Sequence, residues 1–157
     1  MTSENSKGAS ALASVAQIEA LADQLSAIAD DIHQRVMADI RSYKDRPATD
    51  AEQGVARAML EDEILLRQRA NGLYADAASY VVQSLSVSQA ELMKLTADAA
   101  EKIRKIGRIR DAAGLVGGLL MLAGAAASGQ VAPIVVAIER VGKSIKKISA
   151  SAPNKAA

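Results

Sequence analysis

The sequence predicts an all-α protein: three to four long amphipathic helices in an antiparallel, elongated bundle that carries an apolar Gly/Ala-rich helix or hairpin. Three observations predict it. Half of the 157 residues are apolar, yet aromatic residues make up only 2%, three tyrosines with no Phe or Trp. A core of Leu, Ile, Val and Ala suits closely spaced helices better than sheets. Only three prolines interrupt the chain, and apolar residues recur at steps of three and four over long runs, the period of a helix with one buried face.

Taken in order, residues 1–9 are polar and expected to form a disordered tail. A single helical domain follows over 10–148. Its first helix, about 10–44, is marked by the stripe Ile18, Leu21, Leu25, Ile28, Ile32, Val36, Ile40 and Tyr43. Pro47 closes it, because proline disfavours helical geometry in the residue before it. Asp50 with Gln53 reads as a capping box for a second helix over 50–85, with Val55, Met59, Leu66, Leu73 and Tyr80 on its stripe and a kink or break expected near Asn71-Gly72. Glu63 and Arg67, four apart on this helix, read as an ordinary solvated pair. Ser88 with Glu91 repeats the capping pattern before a third helix over 88–127. Ser128-Gly129-Gln130 is the expected break, and Pro133 suits the first turn of a last helix over 131–148. Residues 149–157 read as a second disordered tail.

Charge is distributed unevenly. Residues 1–100 carry nine Lys/Arg and fifteen Asp/Glu, whereas residues 101–157 carry ten and three. A basic back half can meet anionic lipid, nucleic acid or the chain's own acidic half. The absence of cysteine removes disulfides, thiolate metal sites and cysteine nucleophiles. The polar start MTSENSKGAS holds no apolar core of a signal peptide, so the expected address is cytoplasmic as synthesised, with membrane association or export by a specialised route open.

The stretch from Ala112 to Ile138, 27 residues, contains no charged residue. Residues 112–127 would span about 24 Å as a helix, short of the roughly 30 Å hydrocarbon core of a bilayer. Its Leu and Val residues contribute only about −2 to −3 kcal/mol on the insertion scale, so a permanent single span is marginal. A hairpin turning at Ser128–Gln130 fits better. Basic residues flank both of its ends, as two ends held at one anionic membrane face require. The spacing Gly114-x-x-x-Gly118 permits close helix approach. The competing reading makes the same segment the central helix of a soluble bundle. In layout, long helices carrying a Gly/Ala-rich apolar hairpin resemble helical pore-forming toxins and the pore domains of colicins. That resemblance implies storage of the hairpin in a water-soluble form and release at a membrane, and it carries no individual residue over.

The residues expected to insert are Gly114, Leu115, Val116, Gly118, Leu119, Leu120, Met121 and Leu122, with Gly114 and Gly118 serving close packing. Lys105, Arg108, Arg110, Lys143, Lys146 and Lys147 are the expected contacts to anionic lipid. Leu119→Asp is expected to abolish insertion if the segment enters a membrane, and to unfold the protein if the segment is core.

Other chemistry is thinly supported. His33, the one histidine, reads as a solvated side chain beside Asp30 and Asp31. The run Glu61-Asp62-Glu63 points its carboxylates to different helix faces. The glycines of GLVGG lack the Lys and Ser/Thr of a phosphate loop. No catalytic residue, metal or cofactor is expected, and the protein is read as no enzyme. KIRKIGRIR (Lys102–Arg110) is basic but has no neighbouring aromatic residue to stack on bases, which disfavours nucleic acid. The leading expectation is a membrane-associating helical protein, a small pore-forming toxin or secreted effector. The alternative is a non-enzymatic helical bundle or adaptor that forms a homo-oligomer or binds a protein partner, burying the same segment in its core or subunit interface.

Overall fold

Ser14 starts the first helix. Its backbone is extended and its Oγ accepts from the Gln17 N–H at 3.2 Å, satisfying one of the donors left free at a helix N-terminus. The structure, a computed structural model, describes residues 9–151, with side chains as far as Ala150. Helix α1 spans Val15–Arg41 and buries Ile18, Leu21, Leu25, Ile28, Ile32 and Val36 of the predicted stripe, whereas Ile40 is exposed in the last turn and Tyr43 lies beyond the helix. Helix α2 spans Asp50–Ala75. Its cap is Thr49, one residue before the predicted one: Thr49 Oγ1 accepts from Glu52 N–H at 3.1 Å, and Glu52 Oε1 accepts from Thr49 N–H at 2.9 Å. The helix passes through Asn71-Gly72 unbroken, because Ala70 and Leu73 are held in the core on either side.

Beyond Ala75 the helix expected to reach residue 85 gives way to a 3-10 turn, Ala77–Tyr80, and then to extended chain. Long-range backbone pairing causes the change. Val82 N–H donates to Leu12 O, Ala11 N–H to Val87 O and Gln89 N–H to Ala9 O, each at 2.8 Å. Ser10 and Ser88 form an antiparallel bridge. Residues 10–14 are therefore neither helix nor loose tail, and Ala11 and Leu12 are fully buried.

Helix α3 spans Gln89–Lys105 and has the predicted Ser88/Glu91 capping box. The single helix expected over 88–127 is broken at residues 106–112. Ile106 is extended, and a 3-10 turn covers Ile109–Ala112 before α4, Ala113–Ala126. Two side chains of α1 hold this break: Arg35 Nη2 donates to Ile106 O at 2.8 Å, and Asp39 Oδ2 accepts from Ile109 N–H at 3.1 Å. After the Ser128–Gln130 turn, α5 spans Val131–Ser151, so residues 149–151, expected in the tail, are helical. The remaining tail residues, 1–8 and 152–157, lie outside the described residues.

Five helices, among the described residues, thus run alternately up and down. Gln24 bonds to Thr96 and Asp31 to Arg104, which sets α3 parallel to α1. The main packing partners close a ring in the order α1, α2, α4, α5, α3 and back to α1. Two ion pairs and a hydrogen bond join α1 to its neighbours: Arg67 to Asp30 at 2.7 Å, Arg104 to Asp31 at 3.1 Å, and His33 Nδ1 to Glu63 Oε1 at 2.9 Å. Glu63, expected on a solvated face, is only 6% exposed. Its two oxygens are held by His33 and by Arg67, which supplies the hydrogen bonds a buried carboxylate needs.

Candidate functional site

A helix without charge has no polar face to give to solvent, and α4 faces outward with the small residues Ala113 and Gly114 and with one large one, Met121. Leu115, Val116, Leu119 and Leu122 point into the ring and are at most 1% exposed. Ala113, Gly114 and Met121 are exposed, and Gly117, Leu120 and Gly124 are partly covered. The window Ile109–Ala126 has a mean hydropathy of 1.4 over 18 residues and is 56% buried. Its length and composition allow a membrane span, but those of a buried core helix do so too.

The hairpin expected from sequence is present as α4, the Ser128–Gln130 turn and α5. Gly129 has φ +65°, in the left-handed region that glycine enters without penalty. A Cβ there would also lie 3.5 Å from Ser79 O, so the tip sits against the 3-10 turn. The two helices meet along a glycine seam. A Cβ on Gly114 would lie 3.9 Å from Ser144 Oγ, on Gly117 3.5 Å from Arg140 Nη2, and on Gly118 3.3 Å from Val141 Cγ2. The Gly-x-x-x-Gly pair thus serves packing within the hairpin. On the other flank Arg69 of α2 crosses over Gly124, its Nη1 donating to Leu120 O at 2.7 Å.

The register of this seam, Gly114 beside Ser144, continued outward sets Arg110 level with Ile148. Both basic flanks therefore lie at the open end of the hairpin, opposite its tip. Lys105 ends α3, where it pairs with Glu101 at 2.7 Å. Arg108 and Arg110 are exposed on the connector, and Lys143, Lys146 and Lys147 are exposed on α5. On the outer side of the hairpin Met121 is 38% and Val136 53% exposed, and the seam register sets them at the same level. Val136 borders a shallow groove of about 360 Å³ with Glu139, Arg140, Lys143, Ser144 and Lys147.

The structure separates the expected insertion residues into two groups, with Leu120, partly covered, between them. Met121 and Gly114 are at the surface, while Leu115, Val116, Gly118, Leu119 and Leu122 are inside and reach a bilayer only if the hairpin leaves α2 and α3. Leu119→Asp therefore unfolds the protein under either functional reading and cannot separate them. Arg69 and Val136 are not among the residues expected from sequence, and Arg140 belongs to the expected basic flank without being one of the expected lipid contacts. Val136 carried a readable signal, being apolar on the polar side of the last helix. Arg69 carried none, since its acceptor is 51 residues away.

Among the described residues no group of three His, Asp or Glu side chains gathers as a metal site. Compared with known protein families, curated proteins and solved structures, the chain matches none.

Proposed function

We propose that the protein is a non-enzymatic, membrane-associating helical protein that docks on anionic lipid through the outer face of the α4–α5 hairpin. The supporting observation is that face itself. Exposed Met121, Val131 and Val136 lie on the same hairpin as Arg140, Lys143 and Lys146, the mixture of apolar and cationic side chains that holds a helix at a lipid interface. Lys105, Arg108, Arg110 and Lys147 add positive charge at the open end, within reach of the same leaflet. Insertion of residues 112–138 as a hairpin, the step a small pore-forming toxin or effector needs, follows docking and requires α4 to exchange its contacts with α2 for lipid. The ion pairs and hydrogen bond that join α1 to α2 and α3 stay with the rest of the bundle, so the hairpin leaves without breaking them. In this reading the molecule is cytoplasmic as synthesised and meets its membrane later.

The test is flotation of the purified protein with anionic and neutral vesicles, followed by dye release from the same samples. Anionic-specific flotation is expected, and Val136→Asp, at a site 53% exposed, should abolish it without loss of helix content. Dye release would establish insertion; flotation alone would restrict the function to surface binding. Wild-type protein that stays in solution with both lipids would refute the proposal.

One observation favours a second reading, in which the apolar segment is simply core and the protein works as an oligomer or adaptor: Val116, Leu119 and Leu122 are 0% exposed. That reading requires a stable self-association or a protein complex in the absence of lipid, measurable by sedimentation.

A further inference from the structure

At the end of the bundle where α1 stops and α2 and α4 begin, a cleft of about 390 Å³ is lined by residues from three separate stretches of chain. Four arginines reach it: Arg35 from α1, Arg46 from the α1–α2 loop, and Arg108 and Arg110 from the connector. Two carboxylates face them. Glu52 is fully engaged, accepting from Arg46 Nη1 and Nη2 at 2.8 Å each and from Thr49 N–H. Asp39 accepts from Ile109 N–H. The lining therefore holds two cations in excess, and Arg108 and Arg110 have no ion-pair partner among the described residues.

Arg35 adds an independent observation. Its Nη2 is bound to Ile106 O at 2.8 Å, yet its Nε is buried with no hydrogen-bond partner. A buried donor left unmatched leaves the Arg35 charge less compensated than that of a fully paired guanidinium, which adds to the positive potential at the cleft wall. The positive end of α2, whose second residue Ala51 lines the cleft, adds a preference for anions. The C-terminal turn of α1, whose Ala38 and Asp39 also line the cleft, offsets part of that preference, so the arginines carry it. Tyr43 and Val55 give the cleft an apolar wall, and its volume falls in the range of small-molecule sites, roughly 300–1,000 Å³.

We infer that this cleft binds a phosphate monoester, with Arg108 and Arg110 as the principal contacts, Arg35 adding positive charge at the wall and Tyr43 beside the group that carries the phosphate. Guanidinium groups match phosphate oxygens in pairs, which favours phosphate over a simple halide. The site shares Arg108 and Arg110 with the charge proposed to face the leaflet, but it uses no residue of the hairpin itself. It lies on the connector and the first two helices, and it needs no membrane.

The experiment is calorimetric titration of the full chain with inorganic phosphate at constant ionic strength, with chloride as the reference anion. Saturable binding at one site is expected. Arg108→Gln combined with Arg110→Gln, both exposed positions, should weaken it about tenfold or more. Glu52→Gln should tighten it, because it releases Arg46 toward the cleft while Gln still completes the capping box. Absence of saturable binding overturns the inference, as does binding unchanged in the double variant. Vesicles with and without phosphatidic acid, presented to the Val136→Asp variant so that hairpin docking does not contribute, then identify the source of the phosphate. If free phosphate displaces the protein from phosphatidic acid vesicles, the ligand is a headgroup; if free phosphate binds while those vesicles retain nothing, it is a soluble phosphate ester. Both results support the cleft. Val136→Asp should leave phosphate binding unchanged, so failure of the docking proposal and failure of this one are distinguishable.

Discussion

Gly118→Leu tests the packing on which the hairpin depends. The new Cβ would lie 3.3 Å from Val141 Cγ2, 3.5 Å from Val141 Cα and 3.5 Å from Arg140 Cγ. Val141 is 0% exposed and one of the three atoms is backbone, so the neighbour cannot turn aside and α4 and α5 must separate. Overpacking of this kind costs about 1–3 kcal/mol, and a rigid neighbour places it toward the upper end. Leucine's better helix propensity returns about 0.8–1 kcal/mol. The net expectation is about 2 kcal/mol of destabilisation, or roughly 4–8 °C in Tm for a chain of this size. Gly72→Ala is the control. Nothing lies within 4 Å of its added Cβ, so it should gain stability by about 0.5–1 kcal/mol from propensity alone. Urea unfolding followed by circular dichroism measures both. A Gly118→Leu protein as stable as the wild type would show that α4 and α5 do not meet at this register.

Two further predictions concern charge. The Asp62 carboxyl is pushed up by burial and then by the neighbouring Glu61. A raised folded-state value means that this group's contribution is present below the usual aspartate range and lost as pH rises through the folded value, so Asp62→Asn should raise Tm at neutral pH and leave it unchanged in acid. Glu52 moves the other way: the hydrogen bonds from Arg46, then the Thr49 N–H, hold its carboxyl down to about 2. Its contribution is therefore complete above the ordinary glutamate value and lost only as pH falls through about 2. In Arg46→Ala a carbon-detected NMR titration should find the Glu52 carboxyl shifted back toward ordinary values, and an unmoved titration would mean that the Thr49 cap alone sets it.

Much of the fold was legible because helix-forming information is local. The stripe from Ile18 to Val36, the Ser88/Glu91 capping box, the turn at Ser128–Gln130 and the glycine spacing of α4 each lie within a few residues of the feature they specify. The elements misread depend on distant partners. Residues 81–85 carry apolar side chains at no spacing that warns against a helix, and the chain from there to Gln89 is extended because Val82, Val87 and Gln89 pair with Leu12, Ala11 and Ala9. The helix expected over 88–127 breaks because Arg35 and Asp39, about 70 residues earlier, capture its backbone at Ile106 and Ile109. Glu63 and Arg67 have the spacing of a solvated pair, and only the approach of Asp30 and His33 on α1 makes Glu63 an interior group.

The same division holds for the candidate sites. By itself the sequence determined that residues 112–138 are uncharged, that basic residues flank them, and that a turn divides them, since composition and turn chemistry are properties of the segment alone. Only the tertiary structure decided which side of α4 is covered, because all its faces are apolar and periodicity cannot choose among them. It was packing against α2 and α5 that turned Leu115 and Leu119 inward and left Met121 and Val136 outside. The arginine cleft belongs wholly to that second category: its charges come from residues 35, 46, 108 and 110, and nothing but the return of the chain brings them together.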